Sequence, residues 1–213
     1  MEVRCRRLEG KVAVVTASTQ GIGLAISERL GLEGAAASSF CGSAWESQEN
    51  VDEAVEGLRG EGIAAVGAVW EGFQSFRWNF GHIDILASNA AANPTVDGIL
   101  QMKEAVLDKP WNINVKASIL LQEAAPHLRK GSSVIIISSI GGYNPKQGLA
   151  MYCVTKTALF GLTKRKELID RTPLKRLGSV EDMAAAAAFL ASEDASFITA
   201  ETIVVAGGMQ SRL

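Results

Sequence analysis

Short apolar runs alternate with segments of helical periodicity along most of the chain. The runs are rich in β-branched residues such as Val12, Val14 and Val15, which suit strands buried in a parallel sheet. The alternation predicts an α/β fold with a doubly wound parallel sheet, in one domain spanning residues 1–213. We predict its strands over Lys11–Thr16, Ala35–Phe40, Ala64–Val69, Ile83–Ser88, Ser133–Ser138 and Thr202–Ala206.

Helices are predicted between these strands from apolar stripes and capping residues. We expect Asp108 to cap a helix that carries Pro110 in its first turn, and Ser179 with Asp182 to form a capping box before an alanine-rich helix. One stripe has the spacing of a helix that packs on a sheet, and it consists of Val51, Ala54, Val55 and Leu58.

Composition limits the classes of function. The chain has 213 residues, of which 47% are hydrophobic, and this suffices for one sizeable core. A net charge of -2 disfavours binding to nucleic acid. Because no apolar run reaches membrane-spanning length or resembles a signal peptide, we expect an intracellular protein. We expect no structural metal and no disulfide framework, since metal-ligand spacing is lacking among Cys5, Cys41, Cys153, His82 and His127.

A glycine-containing turn follows the first predicted strand. Gly21 and Gly23 allow the backbone to approach a diphosphate closely, and the N-terminus of the next helix favours an anion. Ala17 stands where a glycine of the usual turn is expected. Many strand-turn-helix units of this kind bind nothing, so the turn alone is a weak indication of dinucleotide binding.

Tyr152 and Lys156 are the most informative pair of polar residues. They are four residues apart, so both side chains lie on one face if the segment is helical. An ammonium group near a phenol favours the phenolate and lowers its pKa from about 10, which makes the tyrosine a usable general acid or base. A surface helix with Tyr and Lys at this spacing is the plain alternative.

Several segments together resemble the short-chain dehydrogenase/reductase family. They are TASTQGIG (16–23), SNAA (88–91), INVKA (113–117), IISSIGGY (136–143), YCVTK (152–156), RLGSVEDMAAAAAFLASEDASFIT, and ETIVVAGG before the final SRL. Within the family the chain is similar to the peroxisomal member-4-like carbonyl reductases, especially plant forms, with internal deletions. The resemblance implies a Rossmann-type sheet and hydride transfer between NADP(H) and a carbonyl or alcohol substrate, with NAD as an open alternative.

The resemblance also implies roles for individual residues. Ser139 would hydrogen-bond the substrate carbonyl oxygen, Tyr152 would donate the proton, and Lys156 would assist Tyr152 and hold the nicotinamide ribose. Asn114 would complete this catalytic tetrad by positioning a water, and Asn89 would tie the turn after the fourth strand. The implied cofactor-binding residues are Thr16, Ala17, Ser18, Gln20, Gly21, Ile22, Gly23, Ser38, Ser39, Asn89, Ala90, Ala91, Tyr152 and Lys156.

The chain departs from the family pattern in several places. Only RKELIDRTPLK separates Lys164 from the RLG segment, so we expect the sixth strand, a cofactor loop and the substrate lobe to be missing. Phe40 stands where the member-4-like branch carries a basic residue for the 2′-phosphate of NADP. Ala200 replaces a family glycine. A shortened connection after the third strand leaves open the packing of Trp70, Phe73, Phe76, Trp78 and Phe80.

Three functions from different classes remain open. They are an NADP-dependent carbonyl reductase, a catalytically impaired dinucleotide-binding remnant, and an interaction partner of full-length relatives. Association within the family implies a homo-oligomer. Ser211, Arg212 and Leu213 form a variant of the SKL peroxisomal address, so we expect recognition by the peroxisomal import receptor.

Overall fold

Two compact units make up the structure. A computed structural model describes residues 6–41, 47–69, 81–93, 104–146, 148–162, 178–199 and 201–206. The first unit takes its residues from the ranges Met1–Asn89, Leu121–Ile135 and Ser179–Ile198. The second takes its residues from Ala90–Leu120, Ile136–Gly178 and Thr199–Leu213. The prediction of one domain over residues 1–213 stays a prediction.

A five-stranded sheet forms the centre of the first unit, in the order β3-β2-β1-β4-β5. Strand β1 runs parallel to β2 and to β4, and β2 runs parallel to β3. Every residue of β1 is buried, as its run of valines predicts. The α/β class is therefore confirmed. The strands are β1 (Val12–Thr16), β2 (Ala36–Cys41), β3 (Ala65–Val69), β4 (Ile83–Ser88) and β5 (Leu128–Ile136).

Three α-helices of the described residues belong to the first unit. In the numbering along the chain they are α1 (Gly21–Leu32), α2 (Gln48–Gly60) and α6 (Val180–Ala191). The predicted stripe of α2 is confirmed, because its four residues are all buried and three of them, Val51, Val55 and Leu58, pack with Ile63 and Ala65. The Ser179 amide donates to Asp182 Oδ2 at 2.8 Å, so the predicted capping box at the start of α6 is confirmed.

An ion-pair cluster stabilises the end of α1. Glu33 is 4% exposed and accepts two hydrogen bonds from Arg7, at 2.9 and 2.8 Å, and one from Arg29 at 2.7 Å. Burial by itself would raise the pKa of Glu33, but the hydrogen bonds from both arginines outweigh it and lower the pKa below 4.5. The cluster therefore ties the segment before β1 to the end of α1.

The second unit contains the helices α3 (Glu104–Trp111), α4 (Ala117–Leu120) and α5 (Ala150–Ala158). Asp108 and Pro110 lie inside α3, so the predicted cap and first-turn proline are wrong. The chain is helical from Glu104 to Trp111, so Asp108 does not precede the helix and Pro110 does not lie in its first turn. Pro110 has no N–H to donate, and a π-helical turn follows at Asn112–Lys116, in which the Ala117 amide donates to the Asn112 carbonyl.

The strand predicted over Thr202–Ala206 is also wrong, because residues 201–206 form neither helix nor strand. A strand needs a neighbouring strand for its backbone hydrogen bonds, and the five-stranded sheet does not include this segment. Other predictions lie outside the described residues. They concern the aromatic residues between 70 and 80, the shortened segment after Lys164, Ala200, and the SRL sequence of residues 211–213.

Within the described ranges, no helix is both long and apolar enough to cross a membrane. Likewise, no three His, Cys, Asp or Glu side chains of that part of the chain come together as metal ligands.

Replacing Glu33 by Gln tests the ion-pair cluster. We expect the variant to lose about 2 kcal/mol of unfolding free energy at pH 7, because both arginines lose their charged partner. The lowered pKa makes this contribution present at neutral pH and lost as the pH falls through the folded-state pKa of Glu33. Urea denaturation at several pH values should therefore show the difference from the parent shrinking in acid.

The control is Glu9→Gln, which removes an exposed ion pair with Arg6. It should change the unfolding free energy by no more than about 0.5 kcal/mol. Equal losses in the two variants would contradict the proposed cluster.

Candidate active site

In the first unit, seven of the predicted cofactor-binding residues lie at the end of β1, in the turn that follows it and in the first turn of α1. Ala17 has a φ of 50°, in the left-handed region that favours glycine, and Gly21 has a φ of 57°. Ser18 is buried and its hydroxyl donates to the Val15 carbonyl at 3.0 Å. The turn is thus a defined and partly strained structure.

Asn89 fastens this turn to the end of β4. Its side-chain amide donates to the carbonyls of Thr16 at 3.1 Å and Ala17 at 3.0 Å, while its backbone amide donates to Thr16 Oγ1 at 2.9 Å. A Cβ at Gly23 would overlap the Ala17 carbonyl oxygen and lie 2.6 Å from Asn89 Nδ2. Only glycine fits at position 23 without displacing the turn.

The N-terminus of α1 is suited to an anion. Gln20 precedes the helix and its side chain makes no capping hydrogen bond, and the first turn contains no acidic residue. Backbone N–H groups and the positive end of the helix dipole are therefore available for a phosphate group. With the close approach at Gly23, these residues fit a dinucleotide diphosphate. Ser38 and Ser39 lie in β2, opposite Val14 and Val15 of β1.

In the second unit, Tyr152 and Lys156 lie on α5, as predicted. Lys156 Nζ is 5.8 Å from the centroid of the Tyr152 ring. Lys156 is 2% exposed, and its Nζ donates to the Ile137 carbonyl at 2.8 Å. Burial lowers the pKa of Lys156 from 10.5 to about 8, because charging the amine out of water is unfavourable. A cationic group buried at this cost is a functional-site candidate.

Ser139 begins a turn that is fastened to α5. The Ser138 hydroxyl donates to the Lys156 carbonyl at 2.8 Å, and the Thr157 hydroxyl donates to the Gly142 carbonyl at 2.8 Å. A Cβ at Gly141 would lie 3.5 Å from Ser139 Oγ and 3.8 Å from Tyr152 Cε1, so these two side chains flank the same small residue. The structure thus brings Ser139, Tyr152 and Lys156 together.

Asn114 lies in the π-helical turn and is fully buried. Its Oδ1 accepts from the Ala92 amide at 2.7 Å, and its Nδ2 donates to the Ala92 carbonyl and to Thr155 Oγ1, both at 2.9 Å. Both side-chain N–H groups are therefore used within the protein, and the positioning of a water by Asn114 stays a prediction. Through these hydrogen bonds Asn114 holds Ala92, which follows Ala90 and Ala91, to Thr155 of α5.

The residues that hold these side chains in place were not predicted from the sequence. Ser138, Thr155 and Thr157 each donate a hydroxyl hydrogen bond to a backbone carbonyl at or beside the candidate site. Thr155 could have been identified, because a residue three positions after Tyr152 lies on the same helix face. The partners of Ser138 and Thr157 are distant in sequence and carry no local pattern.

Comparison with known proteins gives consistent matches over the chain. Residues 11–169 match the family model described as short chain dehydrogenase, and residues 164–210 match the one described as Enoyl-(Acyl carrier protein) reductase. "Tropinone reductase-like 3" from Erythroxylum coca is 52% identical over 252 residues, covering 98% of this chain and 96% of that protein. Human "Dehydrogenase/reductase SDR family member 4" is 41% identical over 255 residues, covering 97% of this chain and 90% of that protein. These alignments are longer than the chain's 213 residues, so the relatives contain internal segments without a counterpart here.

Solved structures give the same picture. A short-chain dehydrogenase/reductase from Serratia marcescens superimposes with a TM-score of 0.84 at 27% identity, covering 95% of this chain and 98% of that one. A blue fluorescent protein from a metagenomic library, in complex with NADPH, superimposes with a TM-score of 0.80 at 25% identity and the same coverage. The predicted Rossmann-type fold is confirmed by these matches.

Replacing Ala17 by Gly tests the strain in the β1–α1 turn. The left-handed conformation costs a non-glycine residue about 1–2 kcal/mol, so glycine relieves this strain in the folded protein. Part of the resulting stabilisation is offset because glycine makes the unfolded chain more flexible. We therefore expect a net stabilisation of about 0.5–1 kcal/mol, measured by urea denaturation. As a control, Ala185→Gly on the exposed face of α6 should destabilise by about 1 kcal/mol. Destabilisation by both glycines would contradict the strained turn.

The burial of Lys156 makes stability depend on pH. Between pH values of about 8 and 10.5, the folded protein binds fewer protons than the unfolded chain. The unfolding free energy should therefore rise with pH across this window, by about 3 kcal/mol. Below this pH window the buried amine is charged in the folded protein, so its burial lowers the unfolding free energy by the full amount. Lys156→Met should lack this rise, which urea denaturation at pH 7 to 10 would measure.

Lys116→Met provides the matched control for Lys156→Met, because Lys116 is exposed. The Lys116→Met variant should show the same rise in unfolding free energy with pH as the parent. A Lys156→Met variant with the same pH dependence as the parent would show that the Lys156 ammonium is not buried.

Proposed function

Since this chain belongs to the short-chain dehydrogenase/reductase family, we propose that it transfers hydride between NADP(H) and a carbonyl or alcohol substrate. The observation that carries the proposal is the buried Lys156, one helical turn from Tyr152 and beside the turn that holds Ser139. Hydrogen bonds fix this arrangement on both sides of Lys156, through its Nζ and through its backbone carbonyl.

The proposed chemistry in the ketone-reducing direction uses three side chains. The nicotinamide supplies the hydride when it is bound. Ser139 donates a hydrogen bond to the carbonyl oxygen, and Tyr152 gives that oxygen a proton, so negative charge does not accumulate unaided. The ammonium of Lys156 stabilises the phenolate that Tyr152 becomes. The proton donor Tyr152, the hydrogen-bond donor Ser139 and the cation of Lys156 thus come from two neighbouring segments of the second unit.

The diphosphate part of the proposed cofactor site lies on residues of the first unit. The uncapped start of α1 and the close approach at Gly23 would receive the diphosphate, and Asn89 would hold the turn in shape. The structural relative with NADPH supports an NADP-type cofactor. In the proposal Ser38 and Ser39 of β2 contact the cofactor, and NADP(H) and NAD(H) are its two candidates.

The remaining parts of the proposal concern partners. We propose a homo-oligomer, by analogy with the family. Peroxisomal import through Ser211, Arg212 and Leu213 stays a prediction, which the relationship to member 4 supports.

A dinucleotide-binding protein without turnover is the second candidate, because the chain lacks internal segments that its relatives contain. Fluorescence titration separates binding from reaction. In the proposed function, the protein shifts the fluorescence of NADPH or NADH and oxidises one of them when a small diketone is added. Binding of either cofactor without any oxidation would favour the second candidate.

Tyr152→Phe tests the role of the phenol. Removing the hydroxyl should lower turnover by about a hundredfold to ten-thousandfold and leave cofactor binding unchanged, because the ring remains while the proton donor is lost. Steady-state oxidation of the cofactor measures the first effect, and fluorescence titration measures the second.

The chain offers a matched control, since Tyr143 is its only other tyrosine. The Tyr143 ring stacks on Phe160 with centroids 4.1 Å apart, and Tyr143→Phe keeps that ring. The control should retain turnover. Loss of turnover in Tyr143→Phe but not in Tyr152→Phe would refute the assignment.

A further inference from the structure

Thr155 lies between two members of the candidate tetrad. It is fully buried on α5, directly before Lys156. Its Oγ1 is 2.9 Å from Asn114 Nδ2 and 2.7 Å from the Tyr152 carbonyl oxygen. One hydroxyl therefore contacts both the side chain of Asn114 and the backbone of Tyr152.

The directions of these hydrogen bonds follow from the groups involved. Ala92 fixes the orientation of the Asn114 carboxamide, because its amide must face Oδ1 and its carbonyl must face Nδ2. The second N–H of Asn114 then points to Thr155 and needs an acceptor. Thr155 accepts that hydrogen bond and gives its own proton to the Tyr152 carbonyl, which has only lone pairs to offer.

We propose that Thr155 is a positioning residue, which couples the segment after β4 to Tyr152 through Asn114. The connection runs from the Ala92 backbone to Asn114, from Asn114 to Thr155, and from Thr155 to the Tyr152 carbonyl. Thr155 itself touches no reacting atom in this assignment. It sets the place of the α5 turn that carries Tyr152 relative to Ala92 and its neighbours in the second unit.

The consequence for the reaction rests on the proposed function. Valine has nearly the shape of threonine, so Thr155→Val keeps the packing and removes only the hydroxyl. The Asn114 N–H is then left without its acceptor in a buried place, and it regains a partner only if the segments move. Because proton transfer depends on placement within fractions of an ångström, turnover suffers more than cofactor binding.

Steady-state kinetics with NADPH and a small diketone test the inference. Thr155→Val should lower kcat by about tenfold or more, with cofactor binding changed by less than about threefold. Thr155→Ser keeps the hydroxyl and should stay within about threefold of the parent kcat. A serine variant as impaired as the valine variant would overturn the proposal, since shape rather than hydrogen bonding would then matter.

A control separates positioning from loss of stability. Leu159 is buried just after α5 and its side chain carries no hydrogen-bonding group, so Leu159→Ala destabilises the region without removing a hydrogen bond. Leu159→Ala should lower Tm and keep kcat at 25 °C within about twofold of the parent. If Thr155→Val loses no more kcat than Leu159→Ala, the proposed positioning role is wrong.

A second readout is independent of activity. In the parent and in Thr155→Ser, NMR should show both carboxamide protons of Asn114 exchanging slowly with water, and Thr155→Val should accelerate the exchange of one. Equal exchange in the parent and Thr155→Val would overturn the inference. A parent that lacks turnover would refute the proposed function alone, and this exchange measurement would then decide the role of Thr155.

Discussion

The second unit depends on keeping one ammonium group out of water. Lys156 is almost fully buried, and the Ile137 carbonyl accepts a hydrogen bond from its Nζ. Desolvation makes this placement unfavourable, so the surrounding backbone must hold it. Ser138 and Thr157 supply part of that support by joining the turn after β5 to α5. The same contacts keep Ser139 beside Tyr152, so the support of the cation also assembles the candidate site.

A comparable trade between stability and function occurs in the first unit. Ala17 adopts a left-handed conformation that glycine would adopt at lower cost, and Asn89 holds it there through the carbonyls on either side of the bend. Gly23 lets the turn and α1 approach closely. Ala17 and Lys156 are therefore both in locally unfavourable positions. Hydrogen bonds from other segments hold each of them, as is common at functional sites.

Local patterns predicted the central part of the fold. The first four strands and the buried stripe of α2 follow from short-range apolar periodicity, and their observed bounds differ from the prediction by at most one residue. Strand β5 begins and ends earlier than predicted. The failures have a different origin: Thr202–Ala206 has the composition of a strand but does not pair in the sheet, and the cap assigned to Asp108 lies inside a helix. Strand pairing and helix starts depend on distant segments that composition does not record.

The site was only partly predictable for the same reason. The helical spacing of Tyr152 and Lys156 places them on one helix face without any knowledge of the fold. The contacts of Asn114 could not be predicted in this way, because its two side-chain N–H groups bind Ala92 and Thr155. Hydrogen bonds between segments that are far apart in sequence decided that outcome.

The central claim is that this chain moves a hydride from a nicotinamide to a carbonyl carbon. The most direct measurement uses NADPH with deuterium in place of the transferable hydrogen at C4, followed by mass spectrometry of the alcohol product. The account predicts an alcohol one mass unit heavier when the protein is present. Cofactor binding without any deuterium in the product would contradict it.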